Sequence, residues 1–124
     1  MNFSVTLPGQ PPSGNHMYER SRGGGVHKKA GVEAYQAMVT HLVREARPSG
    51  WKANERVYVR FWFFFGRDVD CTNAMKVIED GIAMALCDGN HPPACCTAYD
   101  RRFLPQAMFK STGAKEPSVD VEIE

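Results

Sequence analysis

Two aspartates, Asp68 and Asp70, lie where a strongly apolar segment ends and a helical pattern begins. Side chains from two elements can converge at such a junction, and packing gives little reason for carboxylates there. Mg²⁺ prefers oxygen ligands, usually one or two carboxylates with waters and substrate phosphate. Convergent aspartates with a nearby lysine are the minimum set for metal-assisted hydrolysis of a phosphodiester. Asp70 could equally cap the helix by accepting hydrogen bonds from its first amides, so the spacing alone leaves both interpretations open.

The segment after these aspartates brings a lysine close to them. Apolar positions in residues 73–86 recur at steps of three and four, which predicts a helix. Asn73, Lys76 and Asp80 share the opposite face of that helix. The helix is therefore expected to carry chemistry on its polar side.

A second group of candidate ligands follows the helix. Cys87, His91, Cys95 and Cys96 could close a tetrahedral zinc site, because thiolates and imidazoles are its usual ligands. Their spacing, C-x-x-x-H-x-x-x-C-C, matches no common zinc motif, and adjacent cysteines seldom bind one ion comfortably. Surface thiols are therefore the default interpretation, and structural zinc is not expected. With Cys71 as the fourth cysteine, the pattern is not a disulfide framework either.

Three patterns organise the first half of the chain. Residues 3–7 alternate between apolar and polar side chains, which predicts a short strand. Residues 9–25 are expected to form one long loop, and a loop of that length is typically functional or disordered. An apolar stripe at helical spacing predicts a helix over residues 29–46, ended by Pro48 and Gly50.

The second half is expected to supply the centre and the end of a sheet. Residues 57–65 alternate, with aromatic side chains on both faces, so we expect a central strand covered on both sides. Residues 103–111 and 119–123 are expected to form a C-terminal hairpin around a turn containing Gly113. Pro105 indicates an irregular or edge start to the first of these strands.

Length, composition and charge limit the class of protein. A chain of 124 residues fits a single domain, residues 1–124, and its 43% hydrophobic content is ordinary for a globular protein. No apolar run is long enough for a membrane span, and the start lacks a signal-peptide pattern, so we expect a cytoplasmic protein without a membrane partner. Residues 1–60 hold nine basic against four acidic side chains, and the remainder holds six against ten. The basic half could bind DNA phosphates and the acidic half could bind metal ions, although charges scattered by chance would give the same counts.

Three motifs, in order along the chain, resemble those of the RusA family of Holliday junction resolvases. Leu7–Tyr18 resembles the family's L-P-x-x-P-P-S-x-N-x-x-Y entry. Asp70–Lys76, followed by Glu79 and Asp80, resembles its D-x-[DT]-N-x-x-K-x-x-x-D helix start. Tyr99–Pro105 is similar to its D-D-x-x-V segment. Three motifs in the right order are far more specific than any one of them.

The resemblance implies an α+β fold, a small mixed β-sheet with two main helices packed on it, in a homodimer. It also implies Mg²⁺-dependent paired incision of four-way or branched DNA junctions in a bacterial host cell, by a bacterial or phage-encoded protein; Mn²⁺ could replace Mg²⁺. By position, Asp70 and Asp100 match the metal-binding carboxylates, and Lys76 matches the essential basic residue. Asn73 matches the helix-start asparagine, and Asp80 matches the later helix aspartate. A metal-activated water with Lys76 beside the scissile phosphate is the mechanism that follows.

The sequence departs from the family pattern in three places. Thr72 stands where many members have a second aspartate, so either Thr72 is a tolerated variant or Asp68 joins Asp70 as a supporting ligand; we favour the latter. Tyr99 replaces the first aspartate of the D-D pair. Residues 87–97 lengthen the following link, which leaves Asp88 as a rival to Asp100, although the Arg-Arg-Phe-Leu-Pro that follows favours Asp100.

Basic and polar side chains near these motifs are candidate DNA contacts. The loop residues among them could instead anchor the loop or form a solvated basic surface. Two other functions remain open: a junction-binding protein on the same fold without full catalysis, and a zinc-stabilised interaction module. The candidate DNA-binding residues are Asn15, His16, Tyr18, Arg20, Arg22, Lys28, Lys29, Arg67, Asn73 and Arg101.

Overall fold

A computed structural model describes residues 2–13, 18–20, 22–87 and 102–124. This part of the chain contains two helices and a mixed sheet, which confirms the predicted α+β class. The elements are β1 (Phe3–Pro8), β2 (Tyr18–Arg20), β3 (Val26–Lys28), α1 (Ala30–Ala46), β4 (Val57–Phe64), α2 (Cys71–Leu86), β5 (Phe103–Ser111) and β6 (Ser118–Ile123).

The main sheet has the strand order β1-β6-β4-β5. β6 pairs antiparallel with both β1 and β4, whereas β4 and β5 pair in parallel, with a register shift after Phe61. The predicted central position of β4 is confirmed. Val57, Val59, Phe61 and Phe63 are all fully buried on its inner face, because successive strand side chains alternate between the two faces of a sheet.

Both helices lie on the inner face of the sheet, close to the predicted ranges. They pack closely at Gly81, where a Cβ atom would lie only 2.8 Å from the side chain of Val39. Thr40 Oγ1 donates to the carbonyl oxygen of Gly81 at 2.9 Å across the same contact. The helix pair and the inner face of the sheet therefore enclose one core. Within the described ranges, neither helix is long and apolar enough to cross a bilayer.

Among the described residues, no helix or strand covers the outer face of the sheet, here called the open face, which corrects the expectation that β4 is covered on both sides. Tyr58 is 37% exposed, and Arg60, Trp62 and Phe64 are only half-buried. The aromatic side chains on this face shield one another instead, since the rings of Phe64 and Phe109 lie 5.6 Å apart. The aromatic side chains on the outer face of β4 therefore do not indicate a further layer packed against that face.

The predicted C-terminal hairpin is wrong. β4 lies between β5 and β6, so these two strands do not pair with each other. The reason is the connection through α2: a strand followed by a helix returns to the sheet parallel to the first strand. β5 is the edge strand next to β4 in the described sheet, which agrees with the edge position indicated by Pro105. Gly113, at a φ of +82°, lies in the connection between β5 and β6.

The prediction of one continuous loop over residues 9–25 is also wrong in part. β2 and β3 form a small antiparallel hairpin in which Tyr18 faces Lys28 and Arg20 faces Val26. Gly24, with a φ of +86°, lies in its turn. Strands of three residues are too short to give a recognisable alternation, so sequence periodicity missed them.

Candidate functional site

The turn between β4 and α2 carries both aspartates that the sequence singled out. Asp70 is the N-cap of α2, and its Oδ1 accepts a hydrogen bond from the backbone N–H of Thr72 at 2.8 Å. One carboxylate oxygen of Asp70 therefore caps α2, which was the alternative to metal binding. The Asp70 side chain is nonetheless exposed, so capping and binding of a cation are compatible.

Asp68 points into solvent and forms an ion pair with a lysine from another strand. Lys110 Nζ of β5 lies 2.5 Å from Asp68 Oδ1, and the Asp68 side chain is 76% exposed. The hydrogen bond to Asp68 raises the pKa of Lys110, and the charge of Asp70 raises it further. The ammonium group of Lys110 thus pairs directly with Asp68, one of the predicted metal ligands.

Lys110 was missed by the sequence analysis. No motif includes it, and the expected hairpin would have paired its strand with β6. The parallel register of β4 and β5 places Lys110 opposite Phe63, and its Nζ lies 6.0 Å from the centre of the Phe65 ring. β4 leads into the turn that carries Asp68 and Asp70, here called the aspartate turn, and Lys110 lies on the strand next to β4.

The segment after β1 fastens the backbone of the aspartate turn. Gln10 Oε1 accepts from Gly66 N at 2.8 Å, and Gln10 Nε2 donates to the Arg67 carbonyl oxygen at 3.4 Å. Gly113 N donates to the Gly66 carbonyl oxygen at 3.2 Å from the other side. A Cβ on Gly66 would lie 3.0 Å from Pro117, so this turn is held tightly. Gln10 belongs to the first motif, but its spacing gave no sign of this role.

The predicted polar face of α2 is present and continues to the basic hairpin. Lys76 is exposed in the second turn of the helix, and Asn73 is half-buried in the first. Further along, Gln36 of α1 is buried and its Nε2 donates to the Val77 carbonyl oxygen at 3.0 Å and to Asp80 Oδ2 at 3.3 Å. Asp80 thereby has a partner in the helix pair.

The β2–β3 hairpin attaches to the helices through Lys28. Its Nζ donates to Gln36 Oε1 at 2.7 Å and lies 3.9 Å from Asp80 Oδ2. Among the hairpin candidates for DNA contact, Lys28 is therefore already engaged within the protein, whereas Tyr18 is 56% exposed and Arg20 and Arg22 are exposed. Lys29, the residue before α1, is half-buried. The hairpin is thus joined to both helices through Lys28.

Several predicted residues lie outside the described part of the chain. Within residues 2–13, 18–20, 22–87 and 102–124, no three His, Cys, Asp or Glu side chains form a group that could hold a metal ion. Asp68 and Asp70 are thus the described members of the predicted metal set, and Cys87, which is buried, is the described member of the zinc candidates. Outside lie Asn15, His16, Asp88, His91, Cys95, Cys96, Tyr99, Asp100 and Arg101.

Glu79 of α2 gives a prediction about pH. Its Oε1 is buried without a hydrogen-bond partner among the described residues, and burial raises the pKa of its carboxyl from 4.5 to about 7. The folded chain thus holds this proton more tightly than the unfolded chain, and the stabilisation is complete below pH 4.5 and lost as the pH rises through 7. Glutamine cannot ionise, so we expect the free energy of unfolding of Glu79→Gln to rise relative to the wild type by about 1–2 kcal/mol from pH 5 to pH 8, allowing for solvent screening.

Urea denaturation at the two pH values measures this gain. Glu55→Gln, in the exposed loop before β4, is the matched control and should show no comparable change with pH. A Glu79→Gln stability difference that is the same at pH 5 and pH 8 would show that the buried carboxyl does not titrate in this range.

Lys110 gives a second prediction, on metal affinity. If Asp68 supports a divalent cation, the Lys110 ammonium competes for the same carboxylate. We therefore expect Lys110→Met to tighten Mn²⁺ binding about threefold to tenfold, since one nearby positive charge is removed. Titration calorimetry with Mn²⁺ measures this, with Lys115→Met on the β5–β6 connection as the matched control. Unchanged affinity in Lys110→Met would remove Asp68 from the set of ligands.

Comparison with known proteins adds no family assignment: no family model matches the chain, and a search of curated proteins finds no match.

Proposed function

We propose that this chain is a RusA-type junction resolvase, a Mg²⁺-dependent endonuclease that cuts four-way and branched DNA as a homodimer in the cytoplasm. The observation that carries the proposal is the turn between β4 and α2. It presents the exposed side chains of Asp68 and Asp70, with Lys110 paired to Asp68 and Lys76 on the helix that follows. Carboxylates and ammonium groups at one corner of a fold suit a reaction at a phosphodiester. The resemblance of three ordered sequence motifs to the RusA family supports the choice of family and of DNA as the substrate.

The donors at this turn fit a hard cation. Both aspartates offer exposed carboxylate oxygens, the ligand type that Mg²⁺ prefers. Asp70 would hold the ion with the oxygen that does not cap α2, Asp68 would support it, and Asp100 remains the predicted third ligand. When bound, the ion supplies an activated water and polarises the phosphate.

The side chains of the chain itself have separable roles in this proposal. Asp70 both begins α2 and offers a carboxylate, so the helix start and the site are built by one residue. Asp68 pairs with Lys110 in this structure; if Asp68 held a cation instead, the Lys110 ammonium would be available to a phosphate oxygen. Lys76, exposed on the same helix, offsets the charge that develops on the scissile phosphate. Gln10 holds the turn backbone in place for both aspartates.

A second candidate function is a junction-binding protein without full catalysis. It is favoured by the engagement of both aspartates inside the protein, Asp68 with Lys110 and Asp70 with the first turn of α2. Thr72 and Tyr99, at positions where the family usually has aspartates, point the same way. DNA binding would then survive while metal-dependent cleavage would not occur.

Cleavage of a labelled mobile four-way junction, with and without Mg²⁺ or Mn²⁺, tests the proposal. Paired nicks near the branch point that require the metal are the expected result. Binding without nicks supports the second candidate, and stoichiometric zinc with no preference for branched over linear DNA supports the interaction module. Sedimentation of the free protein tests the homodimer independently.

The exposed arginines of the hairpin provide a prediction about DNA affinity. We expect Arg20→Ala with Arg22→Ala to lower the slope of log affinity against log salt by about 1–2, because each lost phosphate contact removes about 0.9. Lys28 is already shared by Gln36 and Asp80, so Lys28→Ala should change the slope less than the arginine pair. Lys52→Ala with Arg56→Ala, both exposed in the loop before β4, also removes two positive charges and is the control for the arginine pair. An unchanged slope in the arginine variant would mean that Arg20 and Arg22 do not contact phosphates.

A further inference from the structure

The open face of the sheet holds a groove of about 360 Å³ across β1, β6 and β4. Trp62 and Phe64, both half-buried, provide its apolar part, and Asp120 and Glu122 provide its acidic side. Thr6 Oγ1 donates to Asp120 Oδ1 at 2.8 Å and so holds that carboxylate at the groove. Two flat aromatic side chains therefore lie beside two carboxylates, on a face that neither helix covers.

The charge on this face is negative. Arg60 Nη1 lies 2.9 Å from Glu122 Oε1 and 3.3 Å from Glu124 Oε2, so two carboxylates share one guanidinium group. Asp120 adds a third carboxylate on the same face of β6, opposite Trp62. Within β4 and β6, this face carries Asp120 and Glu122 against Arg60, so its net charge attracts cations and repels phosphate.

An apolar strip continues from the groove to the edge of the sheet. Phe109 of β5 is 48% exposed and lies against Phe64, and Leu104, 36% exposed, is paired with Tyr58. Exposed apolar side chains that adjoin one another are typical of protein-binding surfaces. The open face thus combines an apolar strip on β4 and β5 with an acidic strip on β6.

We propose that this face is a docking site for a basic, amphipathic segment of another protein, with the Trp62 groove as its centre. Apolar side chains of the segment pack on Trp62, Phe64 and Phe109. Its arginine or lysine side chains pair with Asp120 and Glu122 and lie over the indole of Trp62, since a cation is attracted to the face of an aromatic ring. The proposal does not depend on the nuclease function.

Charge selects this occupant over two others. DNA is disfavoured because its phosphates would meet the carboxylates of β6. A second copy that paired this face with itself would bring two acidic strips into one interface, and like charges in an interface are unfavourable. A partner whose basic side chains alternate with apolar ones satisfies both strips of the face at once.

Nuclear magnetic resonance of the tryptophan indole groups tests the proposal on the full chain. Trp62 lies in the groove, whereas Trp51 is 6% exposed and packs on Phe3 in the core, so it serves as the internal control. The probe is a blocked hexapeptide of alternating arginine and leucine, and the matched probe replaces each arginine by glutamate. We expect saturable shifts of the Trp62 indole signal with the arginine peptide and no shift of the Trp51 signal.

Asp120→Asn supplies the matched variant, because asparagine can still accept the hydrogen bond from Thr6 and the fold should be kept. We expect it to weaken binding of the arginine peptide about threefold to fivefold, whereas Glu116→Gln on the β5–β6 connection leaves the affinity unchanged. Three results would each overturn the proposal: no saturable shift at millimolar peptide, equal shifts with the glutamate peptide, or Trp62 shifts on concentrating the free protein that show a second copy on this face. Junction cleavage is measured separately, so failure of the nuclease proposal would leave this result standing.

Discussion

Asp70→Asn is expected to abolish metal-dependent junction cleavage while leaving the fold nearly unchanged. Asparagine is as good an N-cap as aspartate, so α2 can still begin at Cys71 with the amide oxygen accepting from Thr72. The negative charge needed to hold a divalent cation is lost. We expect the cleavage rate to fall at least about 100-fold, since metal stabilisation of a phosphodiester transition state amounts to several kcal/mol.

Two measurements separate the site from the cap in this variant. Urea denaturation should show a change below about 1 kcal/mol for Asp70→Asn and a larger loss for Asp70→Ala, which cannot cap the helix. Cleavage of the labelled junction should be lost in both variants. Asp70→Asn that cuts at the wild-type rate would refute the role of Asp70 as a metal ligand, and the residue would then be a helix cap alone.

Gly81→Ala is expected to destabilise the protein, although alanine is the better helix former. An added Cβ would lie 2.8 Å from Val39 Cβ and 3.0 Å from the Gln36 carbonyl oxygen, so α1 and α2 must move apart. Overpacking of this kind costs about 1–3 kcal/mol, which exceeds the gain of about 1 kcal/mol from helix propensity. The same movement should disturb Gln36, and through it the attachment of Lys28 and the hairpin.

The matched control is Gly31→Ala in the first turn of α1, where nothing lies within 4 Å of an added Cβ. That variant should gain about 0.5 kcal/mol, because only helix propensity changes. The two glycine variants thus differ in sign, which urea denaturation resolves directly. A stabilised Gly81→Ala protein would mean that the two helices have room to separate at little cost.

The aspartate turn shows why local signals predicted part of the site and not all of it. Asp68, Asp70 and Lys76 are neighbours along the chain, and a strand end followed by a helix start fixes their approximate positions by short-range rules. Lys110, on β5, and Gln10, in the segment after β1, reach the same turn from positions more than 35 residues away in sequence. Their roles depend on strand order, and no periodicity within one segment carries that information.

The error in the C-terminal strands has a single cause with consequences at the site. Two strands separated by a short turn are most simply paired with each other, and both strands were correctly predicted. Pairing also depends on which neighbour offers more apolar contact, and β4, with its fully buried Phe61 and Phe63, separates β5 from β6. That choice places Lys110 beside Asp68 and leaves Phe109 on the open face.

By itself, the sequence determined the two helices, the central strand β4 and the position of the two aspartates between them. These features follow from side-chain periodicity and from capping, which act over a few residues. The tertiary structure alone decided the parallel pairing of β4 with β5, the close helix contact at Gly81 and the open acidic face. These features depend on competition between distant segments for the same core, and that competition is settled only when the whole chain packs.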